Sequence, residues 1–170
     1  MRKTVIAAAA SILFAAAAQA EMAAPTPAPA PAAPPQYGQP GVNLEQAMKA
    51  VEAAAAEAKK NGWLMAIAVT TSGGHLVHFS RMDQTQFASI TIAQHKAKAA
   101  ATFKRPTKAF EDRVAQGGAG LTALTLDGII ASEGGIPLML GGKMIGAIGC
   151  SGATGAQDGQ ACTAGAGALK

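Results

Sequence analysis

Aromatic side chains are scarce in this sequence, at 4% of 170 residues, and only two cysteines and three histidines are present. Each scarcity closes off a class of protein. No basic stripe exists and no aromatic residues alternate with basic ones, so a nucleic-acid-binding surface finds no support. The two cysteines have no histidine or cysteine partners at usable spacing, which removes a zinc cluster. No serine stands in Gly-x-Ser-x-Gly. The Gly-rich turn at 151–158 lacks the Gly-Lys-Ser/Thr ending of a phosphate loop. No acid/base or nucleophilic constellation is visible. Beyond the N-terminal segment no apolar run reaches the length of a membrane span, and no cysteine marks a lipid anchor.

Three segments divide the chain. Residues 1–20 carry Arg2 and Lys3, an apolar stretch and Ala18-Gln19-Ala20, the pattern of a signal peptide cleaved after Ala20. Residues 21–41 hold most of the nine prolines and favour an extended polyproline spacer. Residues 42–170 form one domain. Loss of Arg2 and Lys3 lowers Lys+Arg from 14 to 12 against 10 acids, a net charge of about +2. The expected location is the periplasm or the exterior. There Cys150 and Cys162 pair as a disulfide.

Glycine and alanine dominate the domain and suit helices lying close on a sheet. Asn43, with Gln46 as its capping-box partner, opens a helix whose apolar face includes Leu44, Ala47, Met48, Val51 and Ala54. The apolar run from Trp63 and the run from His75 flank a Gly-rich turn and predict a hairpin. The first arm lacks polar alternation, so both faces of its sheet should be covered. A second helix is capped by Asp83 or Thr85, buries Phe87, Ile90, Ala93 and Ala97, and ends at Arg105 before Pro106. A short helix over 107–116, a flexible Gly-rich connector, a second hairpin from Ile136 to Cys150 and a terminal helix complete the chain. The expected class is α/β (α+β): helices on a mainly antiparallel sheet.

Strand parity puts His78 with Leu76 and Met82 beside the core, and His75 with Val77, Phe79 and Arg81 on the opposite face. His95 falls on the polar side of its helix. Lys96 stands with Ile92 and Phe103; a lysine snorkelling to the surface is the default, and otherwise its head should seek a carboxylate or a ligand's anionic group. Arg81 can pair with a carboxylate or grip one bidentately.

Four stretches, "SGGHLVHFSRMD" (72–83), "ASITIAQHKAKAAATF" (88–103), "GGIPLMLGGKMIGAIGCSG" (134–152) and "AQDGQACTAGAGAL" (156–169), together resemble the GlcG/HbpS family of haem-degrading and PduO C-terminal-like domains. The resemblance implies an αβα sandwich of profilin-like or roadblock-like type, assembled into dimers or higher oligomers. It also implies haem binding, with haem breakdown or iron release in some members. Matching positions include Arg81, Met82, Asp83, Lys96, Gly134, Gly135, Gly149 and Asp158. Gln84 departs from the pattern's glycine, and Cys150 from its frequent valine. Haem requires an axial ligand and cations for its propionates. His78, His95 and Met82 are the axial candidates; Arg81, Lys96 and the helix entry at 151–158 are the propionate candidates.

The leading reading is an exported, homo-oligomeric protein that binds and handles haem. A small-molecule-sensing or accessory interaction module is one alternative. A low-turnover haem-degrading enzyme, or an enzyme using Lys96, Arg81 or Asp83 on another small substrate, is the other.

Overall fold

In the computed structural model, residues 41–169 are described. The expected signal peptide and nearly all of the expected linker lie outside them. Helix α1, Leu44–Lys60, opens as its sequence requires: Asn43 accepts from the Gln46 N–H, and Gln46 accepts from the Asn43 N–H. Its buried stripe is Ala47, Ala50, Val51, Ala54 and Ala58, while Leu44 and Met48, both expected on that stripe, stay exposed. The reason for the small stripe is close approach. A Cβ on Gly165 of the last helix would lie 2.6 Å from the Ala50 carbonyl oxygen.

Strands β1 (Ala66–Thr71) and β2 (Leu76–Arg81) form the first hairpin; β3 (Gly135–Leu140) and β4 (Lys143–Ser151) form the second. They join as one antiparallel sheet in the order β2-β1-β4-β3. Helix α2 (Ala88–Thr102) covers one face, where Ala93 and Ala97 meet Ala66 and Ala68. Helices α1 and α4 (Gly155–Gly167) cover the other, around Ile67, Val69, Ile148 and Cys162. This is the αβα sandwich, and β1 is buried on both sides as its unbroken apolarity requires. Cys150 of β4 and Cys162 of α4 are disulfide-bonded with Cα atoms 5.7 Å apart.

Several local expectations give way to tertiary packing. Neither Asp83 nor Thr85 caps α2; the chain winds into it through turns in which Ser89 and Ile90 donate to Gln86 and Phe87. Phe87 is 81% exposed rather than in the core, and the Arg81 guanidinium stacks on its ring at 5.3 Å. Gln84, where the family pattern has glycine, sits at φ +66°, the left-handed region that glycine enters without strain. The helix closes at Phe103, two residues before Arg105. The short helix α3 (Lys108–Ala115) lies within the expected span, and the expected flexible connector is a 3₁₀ helix, Gly118–Thr125.

At Gly149 helix α2 lies close against β4. A Cβ there would run into the Ala93 carbonyl and the Ala97 amide, neither of which can yield without lifting the helix. Gly149→Ala should therefore lower stability by about 2 kcal/mol, as overpacking does. Urea unfolding at equilibrium measures it.

Candidate functional site

A β-bulge decides which side chains meet. In the β1–β2 pairing Val69 faces His78 while Thr70 faces Leu76, so Val77 is the unpaired extra residue. The bulge breaks strand parity. Leu76 stands with Thr70 on the α2 face, and His78 stands opposite Val69 on the other, so the two do not share a face as alternation implied. Likewise Val77 packs in the α1–α4 core and Phe79 in the α2 core, not side by side.

Between the hairpin and α2 lies a cleft of about 410 Å³, lined by Thr70, Gly74, His75, Leu76, Gln94, His95 and Lys98. That volume falls in the range of small-molecule sites. His95 is exposed on its helix, as its polar neighbours implied, and His75 joins it from the turn. The His75 amide donates to Thr71 Oγ1 at 3.2 Å, which fixes the turn. Gln94 Nε2 donates back to the Ile90 carbonyl at 3.0 Å, leaving its Oε1 as an acceptor. No carboxylate lines the cleft.

The other candidates lie elsewhere. His78 is half-buried on the far face of the edge strand. Met82 packs against the α1–α4 core, and its Sδ accepts from the Met65 N–H at 3.4 Å, so its sulfur is already engaged. Arg81 is exposed against Phe87. Of the five candidate ligand contacts, only His95 reaches the cleft. Sequence reasoning missed His75 as its companion, because parity and a turn position gave no sign that the hairpin folds toward α2. It also missed Thr70, whose hydroxyl inside an apolar run was the available signal.

Lys96 is wholly interior. Its Nζ lies 2.7 Å from Asp158 Oδ2, and both side chains are almost inaccessible to water. Lys96 therefore does not snorkel to the surface: the carboxylate it seeks lies within the protein, and the ammonium is turned away from any surface that a propionate would reach. Asp158 Oδ1 accepts from the Ala153 N–H at 3.0 Å, which fastens the 151–154 turn to α4. Burial pushes the Asp158 carboxyl up, against the opposing pull of Lys96 and of the Ala153 and Gly152 amides. Gly134, at φ +125°, roofs the pair; a Cβ there would lie 2.8 Å from Asp158 Cβ and 3.0 Å from Lys96 Nζ. The helix entry at 151–158 is therefore occupied by its own side chains: Thr154 and Gln157 cap α4 reciprocally. Among the described residues no group of three or more His, Cys, Asp or Glu side chains could hold a bare metal ion.

Comparison with known proteins agrees with this architecture. The family described as haem degrading protein HbpS-like matches residues 42–167. Protein GlcG of Escherichia coli strain K12 is 41% identical over 110 residues, 65% of this chain and 81% of GlcG. A crystal structure of a Streptomyces reticuli HbpS double mutant has a TM-score of 0.71 at 32% identity, covering 85% of this chain and 99% of that one. A PduOC:haem complex has a TM-score of 0.69 at 23% identity, covering 76% of this chain and 96% of that one, a likeness of fold alone. With the sandwich, the ordered motifs and a match over nearly the whole described domain, this chain belongs to the HbpS-like family.

Proposed function

We propose that this protein is an exported haem-binding protein that holds or sequesters haem in the periplasm, and that the cleft between the first hairpin and α2 is its site. The observation that carries the reading is His95, an exposed imidazole in a 410 Å³ cleft that also holds His75 and Lys98. The family's description as haem-degrading supports the ligand class. The donor set fits haem: an imidazole for the iron, Leu76 as apolar wall and Lys98 as a cation for a propionate. When bound, haem would supply iron-centred redox and ligand-exchange chemistry. The chain's own part would be to hold it: His95 would offer a nitrogen to the iron, His75 a second nitrogen at the mouth, and the hairpin and α2 would form the walls.

Haemin titration of the purified protein, followed by its absorbance, tests this. Saturation near one equivalent is expected. His95→Ala should change the spectrum and weaken binding at least about tenfold, as loss of an iron ligand does; His78→Ala and Met82→Ala should leave both unchanged. Weak, non-saturating binding indifferent to His95 would overturn the haem reading. Export is tested by fractionation: a periplasmic chain beginning at Glu21 is expected, and a full-length chain retained in the cytoplasm contradicts it.

The accessory-module reading has its own support. Leu121, Leu124 and Leu126 around the 3₁₀ helix are each more than 40% exposed, an apolar surface suited to a protein contact or to a second copy of this chain. Among the described residues no helix is long and apolar enough to cross a membrane.

A further inference from the structure

Thr70 is 2% exposed and lines the cleft, yet its Oγ1 has no hydrogen-bond partner. A buried hydroxyl without a partner is unfavourable unless something at the site completes it. The groups that share its cavity are Lys98, His75, His95 and Gln94, with no Asp or Glu among the lining residues. Among the described residues Lys98 has no carboxylate within ion-pair distance. Its stem passes close to the hairpin: a Cβ on Gly74 would lie 2.9 Å from Lys98 Cγ. A hydroxyl donor, an unpaired ammonium and imidazoles, with no carboxylate among the lining residues, describe a receptor for a negatively charged oxygen ligand.

We propose that the inner end of this cleft is a carboxylate-binding subsite, with Thr70 Oγ1 donating to one carboxylate oxygen and Lys98 neutralising the charge. The carboxylate belongs either to a haem propionate or to a free small carboxylic acid. The subsite requires that the cleft be a ligand site; it does not require that haem be the ligand. Thr70→Val keeps the side chain's shape and removes only the donor, and Lys98→Met removes only the charge from an exposed position.

The test compares haemin, haemin dimethyl ester and acetate on the wild-type protein, Thr70→Val, Thr70→Ser and Lys98→Met. A propionate in the subsite makes Thr70→Val and Lys98→Met each bind haemin about tenfold more weakly, the worth of one charge-assisted hydrogen bond. Thr70→Ser retains binding, and the uncharged dimethyl ester is indifferent to Lys98→Met and less sensitive than haemin to Thr70→Val. A free acid in the subsite gives saturable acetate-dependent shifts of the Thr70 amide and His95 ring resonances, absent in Thr70→Val. If those shifts occur while haemin fails to bind, the subsite stands and the haem reading falls. If Thr70→Val binds haemin as the wild type does and acetate shifts nothing, the subsite is overturned and water completes the hydroxyl.

Discussion

Lys96→Met should be among the most damaging single substitutions in this domain, costing about 3–5 kcal/mol. The loss comes less from the missing attraction than from what remains. Asp158 would keep the Ala153 N–H donor but lose Lys96, its only ion-pair partner among the described residues, in a site closed over by Gly134. Total stability in domains of this size is about 5–15 kcal/mol, so the variant should be marginally folded at neutral pH. The pH dependence identifies the cause. Burial already raises the Asp158 carboxyl above its ordinary value of 3.8, and removing Lys96 leaves that push unopposed except by the amides. A carboxyl whose native pKa is raised binds more protons in the folded state, so its contribution is present at low pH and lost as pH rises through the native pKa. The Lys96→Met deficit should therefore shrink as pH falls and Asp158 becomes neutral. Lys96→Met with Asp158→Leu should recover most of the loss. Urea unfolding across pH measures both; a deficit that is independent of pH and unrelieved by the second substitution would mean that packing, not charge, is at stake.

Removing the disulfide is the second large effect. Cys150 and Cys162 close a loop of sequence separation 12 between β4 and α4. On the chain-entropy model its loss costs about 3 kcal/mol, arising mainly in the unfolded chain. Cys150→Ala with Cys162→Ala should show this in the urea midpoint while leaving near-ultraviolet circular dichroism native-like, since both sulfurs are replaced by groups that fit an apolar site. Reductant should have no effect on the double variant. A wild type equally stable with and without complete reduction would show that the bond is dispensable.

What could be read from the chain was what is encoded locally. The Asn43–Gln46 box, the apolar run of β1 and the glycine turns of both hairpins depend on neighbours a few residues away, and all appear in place. The Thr154–Gln157 box was equally local but lay hidden in a Gly-rich stretch that reads as loop. The site was less legible because it is assembled from long-range events. A single extra residue, Val77, reverses the facing of half a strand, and no pattern in "HLVHFSRM" announces it. Lys96 and Asp158 are 62 residues apart and meet only because α2 and α4 lie on opposite sides of one sheet edge. Lys96 could be recognised as a cation in need of a carboxylate; which carboxylate it would find could not. The cleft brings His75 to His95 by the same route, through the docking of a hairpin onto a helix.

If this cleft receives the ligand, amide chemical-shift mapping with gallium protoporphyrin, a diamagnetic stand-in for haemin, will register it there. One equivalent should perturb Thr70 to Leu76 on the hairpin and Gln94 to Lys98 on α2, with His95 shifted most. Perturbations centred instead on the smaller groove of about 180 Å³ between Pro137, Met139 and Thr163, or on His78 and Met82, would contradict it.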